Sequence, residues 1–422
     1  MIISKKNSNK YRNTAENKWL GMKYARPFVF LSLRKHVGVL LAMLMFAMLC
    51  GCGADGKTTE TVQSTEENVQ SSENSGRDET EEVVSLVMVG DLLIHKSVYE
   101  SGVQEDGTLN YSHLFKNIES DVKAADIAVI NNEVVYGGDD KGFRDYPEFN
   151  APTAVGDAVS EAGFDVVLHA SNHVLDQGTD GIENCLKFWK ESHPEVAVLG
   201  IHGSDGISGS DDIFIYEKSG IKIAMLNYTY GLNGKSLPED KSYMIDLMDE
   251  NSKDKVREDI RKAKAEADAV IVFPHWGTEY SLEVDESEKE WAQLFADEGV
   301  MLVIGSHPHV IEPIEWIEGK NGNKMLCYYS VGNYISSQTQ AEAMLGIMAE
   351  VKLRKNSDGK VEIADYGYEA LVTHISAEPG GFTTYKLSDY TENLAEENII
   401  CRYDDRFSIE FLKELKDNTF RP

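Results

Sequence analysis

Apolar positions along the chain fall into short unbroken runs separated by amphipathic stretches. Runs at 83–89, 128–130, 164–168, 221–226, 269–273 and 301–304 are predicted strands. Stretches at 178–191, 252–267 and 287–297 have the spacing of helices with one apolar face. Short apolar strands between helices predict an α/β fold with a mostly parallel sheet buried on both faces. From Lys324 the pattern changes. Runs at 325–329, 344–353 and 361–374 read as strands without helices between them, turning at Asn356-Ser357-Asp358-Gly359. That predicts a second, more antiparallel sheet.

The first residues follow a different pattern. Basic residues from Lys5 to Lys35 precede an apolar run at 37–49, broken only by Gly38. Basic flank, short apolar core and small residues are the order of a secretory signal. The run is short for a transmembrane anchor, which needs ~20 residues. It ends in Leu49-Cys50-Gly51-Cys52, which resembles the bacterial lipobox, whose last cysteine is acylated. The expected organisation is a lipoprotein signal peptide at 1–52, read from Met1 or from a start at Met22, with the lipid on Cys52. A polar, flexible tether follows at 53–82, then a main domain at 83–336 and C-terminal strands with a tail at 337–422. The expected location is the outer face of a bacterial cytoplasmic membrane. Cys185, Cys327 and Cys401 are too few and too widely spaced for a disulfide framework.

Charge narrows the partners. Asp and Glu number 71 against 41 Lys and Arg, a net charge of −30. Nine of the basic residues but only Glu16 of the acidic ones lie in 1–52, so removing that +8 leaves a body of −38. Such a body is a poor nucleic-acid binder, because phosphate binding needs Lys and Arg to displace counterions.

The candidate chemistry sits where the predicted strands end. Asp91, Glu133, Asn172, His173, His275, His307 and His309 all follow apolar runs, and open α/β sheets bind ligands beyond the carboxyl ends of their strands. Taken singly, each is an ordinary turn, cap or surface residue. Together, histidines, carboxylates and an Asn suit two divalent metals, Mn, Fe or Zn rather than Ca. Two such ions give +4 against −2 from Asp91 and Glu133, a local positive centre that attracts an anionic ester.

The motifs Val89-Gly90-Asp91, Asn131-Asn132-Glu133, Ser171-Asn172-His173-Val174-Leu175-Asp176, His275-Trp276-Gly277-Thr278-Glu279-Tyr280, Gly305-Ser306-His307-Pro308-His309 and Tyr329-Ser330-Val331-Gly332-Asn333-Tyr334 occur in this order. They resemble the motifs of the CapA-type poly-γ-glutamate capsule synthesis proteins, a family related to calcineurin-like metallophosphoesterases. The resemblance implies a sandwich of two β-sheets flanked by helices. It also implies a dinuclear site in which Asp91 and His309 bind one metal, Asn172, His275 and His307 bind the other, and Glu133 bridges. His173 would be the proton donor. Three departures concern residues around the ligands: Asn132, Ser171 and Glu312 stand where an apolar residue, Asn and Gln are usual. Leu93 stands where calcineurin-like enzymes carry a histidine.

Several residues keep two readings. His95 either contacts ligand or substrate, or only starts a helix. Asp176 either orients His173 or caps the helix that follows. Trp276 and Tyr280 read as core or pocket wall, Gly332-Asn333 as a backbone turn, and 145–149 as pocket rim or plain loop. Two functions are open: a metal-dependent hydrolase, most simply a phosphoesterase, or a component that assembles, exports or anchors the capsule. The expected partners are the membrane, a polyglutamate synthase complex, and poly-γ-glutamate or a phosphoester.

Overall fold

The computed structural model describes residues 83–204, 213–378 and 380–421. The expected signal peptide, Cys52 and the tether lie outside the described residues. The strands are β1 (Val83–Leu92), β2 (Ile127–Asn132), β3 (Val166–Leu168), β4 (Ala197–Leu199), β5 (Phe214–Lys218), β6 (Ile221–Thr229), β7 (Ala269–His275), β8 (Leu302–Ile304), β9 (Ile314–Glu318), β10 (Lys324–Tyr328), β11 (Asn333–Ile335), β12 (Leu345–Lys355), β13 (Val361–Ile375) and β14 (Phe382–Lys386). One sheet runs β14-β13-β12-β1-β2-β3-β4, with β11 also paired to β1, and the other runs β5-β6-β7-β8-β10-β9.

The two sheets pack on each other, as side-chain alternation shows. Ile271 and Phe273 of β7, Leu302 and Ile304 of β8, and Leu326 and Tyr328 of β10 join the core that contains β1 and β2. Their neighbours Val270, Val272, Val303, Met325 and Cys327 turn the other way. They pack with Val256 and Ile260 of the helix Lys253–Glu266 and with Trp291 and Phe295 of the helix Glu286–Glu298. Period two along a strand thus gives each strand two buried faces. The second helix starts at a capping box: Asp285 accepts from the Glu288 N–H and Glu288 accepts from the Asp285 N–H. Among the described residues no helix is long and apolar enough to cross a membrane.

This is the two-sheet α/β sandwich flanked by helices that the resemblance implies, but the strands divide differently from the expectation. The C-terminal strands do not form a sheet of their own. β12 lies antiparallel beside β1, from Val83 opposite Arg354 to Val89 opposite Met348, so β12, β13 and β14 extend the parallel sheet β1-β2-β3-β4. β10, expected among the antiparallel strands, joins the second sheet parallel to β8. β1 is therefore a central strand, and its end is tightly enclosed. A Cβ on Gly90 would stand 1.8 Å from the Gly332 carbonyl oxygen, which accepts from the Asp91 N–H at 3.1 Å.

Candidate metal centre

Parallel strands of both sheets end on one side and deliver their polar residues together. Asp91 comes from β1, Glu133 from just beyond β2, His275 closes β7, and His307 and His309 follow β8. All five are buried. Glu133, His275 and His307 form one group of possible ligand atoms, and Asp91, Glu133 and His309 form another, each within 4.8 Å of one another. Glu133 belongs to both. Its Oε1 is 3.7 Å from His275 Nε2 and its Oε2 is 3.7 Å from His309 Nδ1. Asn172 Oδ1 lies 3.1 Å from His275 Nε2, so the Asn is at the first group.

The polar contacts around these atoms are uneven. Asp91 is well supplied: Asn131 donates to Oδ1 at 2.7 Å, and the His309 ring and the His307 N–H reach Oδ2 at 3.0 and 3.3 Å. Ser306 Oγ is 3.1 Å from His275 Nδ1. By contrast, both Glu133 oxygens and His307 Nδ1 are buried with no hydrogen-bond partner. An orphaned buried carboxylate is costly, and cations are the partners that such acceptor atoms fit. The donor set of imidazole nitrogens, carboxylates and an amide oxygen matches transition-metal ions.

The backbone points the same way. His307 and His309 have φ of 101° and 63°, a left-handed region that non-glycine residues avoid at a cost of about 1–3 kcal/mol each. Pro308 between them and the tie of both residues to Asp91 hold the loop there.

The site's electrostatics follow from burial. Burial pushes the Glu133 carboxyl well above its ordinary range, opposed by His309 and reinforced by Asp91. Burial pulls His275 and His307 far below the imidazole range, and neighbouring imidazoles add to it. Burial also opposes charge on His309, but Glu133 and Asp91 outweigh it and lift this imidazole to about 9. The ion-free site therefore favours the protonated forms of Glu133 and His309.

His173 stands beside this group with its own partners. Its Nδ1 donates to Asp176 Oδ2 at 2.7 Å. Asp176 also accepts from the Phe149 N–H at 2.8 Å and, through Oδ1, from Lys235 Nζ at 3.0 Å. Of its two readings, the structure shows the contact with His173; the helix Gly178–Ser192 starts at Gln177, without a side-chain cap. His95 occupies the cap position of the helix Lys96–Ser101 without capping it. Its Nδ1 accepts from the Ser337 N–H at 3.3 Å, and its ring packs on Phe149, which packs on His173 at 4.7 Å. His95 thus reaches the site through Phe149. Trp276 is buried and donates to the Tyr329 carbonyl, whereas Tyr280 is at the rim.

Other contributors carry no motif of their own in the sequence reading. Tyr230, Asn233 and Lys235 lie on the segment after β6. The Asn233 amide lies 3.4 Å from His173 Nε2 and accepts from Asn172 at 3.3 Å. The dipeptide Asn233-Gly234 was the available signal: Asn233 has φ of 51°, and Asn is among the residues that tolerate it.

Fold and site together define an α/β sandwich with a strand-end centre built for divalent metal. Residues 85–338 match the family described as bacterial capsule synthesis protein PGA_cap, and the chain belongs to that family. It is 26% identical over 296 residues to the PGA biosynthesis protein CapA of Bacillus subtilis (strain 168), covering 67% of this chain and 71% of that one. It is 26% identical over 291 residues to the capsule biosynthesis protein CapA of Bacillus anthracis, covering 67% of each. Among solved structures it overlaps loosely with Haemophilus influenzae NAD nucleotidase, at a TM-score of 0.43 and 12% identity, covering 80% of this chain and 67% of that one. The overlap with a Staphylococcus aureus putative 5'-nucleotidase has a TM-score of 0.41 and 13% identity, covering 79% and 58%.

Proposed function

We propose that the chain is a surface-anchored, metal-dependent hydrolase of an anionic ester, working in capsule synthesis. The observation that carries this reading is Glu133, a buried carboxylate without donors that has one oxygen toward each ligand group. Asp91 and His309 would hold one ion, Asn172, His275 and His307 the other, and Glu133 would bridge them. Two divalent ions of the Mn, Fe or Zn type supply an activated water and hold the oxygens of a displacement at phosphorus. His173 would give a proton to the departing alkoxide, with its ring oriented by Asp176. Lys235, between Asp176 and Glu148, steadies the carboxylate from the far side.

In this reading Cys52 carries the lipid, the body faces outward, and the partners are a polyglutamate synthase complex and either poly-γ-glutamate or a phosphoester. A second reading is a non-enzymatic assembly, export or anchoring component, favoured by a family description that speaks of synthesis rather than hydrolysis. The test is metal analysis of the full chain together with turnover of phosphomonoesters, phosphodiesters and γ-glutamyl polymers. Turnover that disappears with the metals supports the hydrolase. Metal-loaded protein that turns over none of the panel leaves the assembly component.

A further inference from the structure

Exposed aromatic side chains gather at the mouth of the metal centre. Tyr146, Tyr230 and Tyr280 are 53%, 40% and 40% exposed, and they come from three separate segments. Each stands against a different histidine of the site: Tyr146 against His173 at 6.3 Å, Tyr230 against His307 at 4.7 Å, and Tyr280 against His309 at 5.8 Å between ring centroids. Tyr280 is held by more than packing. It has φ of 63°, its N–H donates to the Pro308 carbonyl at 2.8 Å, and its hydroxyl accepts from Gln338 at 3.0 Å. A strained tyrosine fixed with a ring in water calls for an explanation.

The charges among these rings are acidic. Glu279 precedes Tyr280, and Asp145 precedes Tyr146. Among the described residues neither makes an ion pair, while Glu148 is already paired with Lys235. The field of Glu279 reaches Tyr230, Tyr280, Glu133 and His309. Aromatic faces with nearby carboxylates are the surroundings that bind alkylated ammonium groups. Lys235, a cation beside His173, is already paired with Asp176 and Glu148.

We propose that Tyr146, Tyr230 and Tyr280, with Glu279 and Asp145, form a cage for an alkylated ammonium group, so that the substrate is the phosphoester of a cationic amino alcohol. This rests on the hydrolase reading for the anionic end. The metal centre takes the phosphoryl group and the tyrosines take the ammonium. The step is a hydrolysis: a bond forms from water oxygen to phosphorus, and the bond from phosphorus to the alcohol oxygen breaks. The alkoxide takes the His173 proton, and the proton lost by water returns to solvent.

The test compares choline phosphate with 3,3-dimethylbutyl phosphate, its uncharged isostere, on the metal-loaded full chain in detergent. Calorimetric binding of choline alone is measured beside it. The expected result is a lower KM for the charged ester and saturable choline binding. Tyr146→Ala and Tyr280→Ala each weaken choline binding about two- to fivefold, the range of one cation–π contact, with metal content measured beside them. Glu279→Gln lowers the charged-to-neutral preference as well. Equal kinetics for the two esters, with no choline binding, overturns the cage and leaves the hydrolase standing. Choline binding that the tyrosine variants lose, with neither ester turned over, keeps the cage and overturns the monoester of a cationic amino alcohol as the substrate. Absence of both binding and turnover overturns the cage, and the wider substrate panel then decides the hydrolase.

Discussion

His173 and Asp176 are locked together, with the imidazole Nδ1 donating to the carboxylate at 2.7 Å and both groups buried. The same carboxylate oxygen takes a backbone N–H, so the ring is held by the fold rather than by a free side chain. A positioned general acid is worth about 10²–10⁴-fold. His173→Ala is therefore expected to keep the metals and to lose about that much turnover of an alkyl phosphoester. The loss shrinks for p-nitrophenyl esters, whose leaving group needs little protonation. Metal content and rates on both substrates, measured beside His307→Ala, check this. Equal metal loss in the two variants would make His173 a ligand.

Metal should be bound near two ions per chain and should stabilise the fold. Binding to the folded state alone adds about 2.7 kcal/mol at a hundredfold excess over Kd. Glu133→Gln is expected to weaken both ions, because Glu133 belongs to both groups, and His275→Ala mainly one. Elemental analysis and melting curves with and without chelator report this directly. A wild-type chain that stays metal-free after exposure to Mn²⁺, Fe²⁺ and Zn²⁺ rules the centre out.

Behind the metal loops lies a second carboxyl pair, Glu288 and Glu312, both buried. As carboxylates, neither Glu312 oxygen has a donor; with one shared proton, Glu312 donates to Glu288. Burial, and then the neighbouring Glu288 carboxyl, raises Glu312 to about 10; burial raises Glu288 to about 7. A folded-state pKa above the unfolded value of 4.5 means stability that is complete below 4.5 and lost as pH rises through 7 toward 10. Glu312→Gln keeps a donor without the charge. It should raise the melting temperature at pH 8–9 and flatten its fall with pH. An unchanged alkaline limb in metal-loaded protein would show that the pair is not protonated.

Cys52→Ser should move the chain from the detergent phase to the aqueous phase if the lipid is on that residue. Each buried acyl CH₂ contributes ~0.8 kcal/mol, and one chain alone anchors weakly. Unchanged partitioning would point to an uncleaved apolar segment instead.

Much of the site could be read from residue order, because a parallel strand that ends in a ligand leaves a short local signature. Asp91, Glu133, His275, His307 and His309 each follow an apolar run, and the fold brings them together. The division of strands between sheets could not be read. Periodicity shows that 344–353 is a strand, but its partner Val83–Leu92 is set by long-range packing that no local pattern encodes. Tyr230, Asn233 and Lys235 were missed for the same reason. They lie on a connecting segment and reach His173, Asp176 and His307 only through the packing of one sheet on the other.

The order of the ligands along the chain also sets a timetable. Neither ligand group is complete before residue 307, and the one with Asp91 waits for His309, 218 positions later. A growing or clipped chain that stops short of these residues lacks a donor in each group. An ion at either group would therefore tie together strand ends that lie far apart along the chain, from Asp91 to His309.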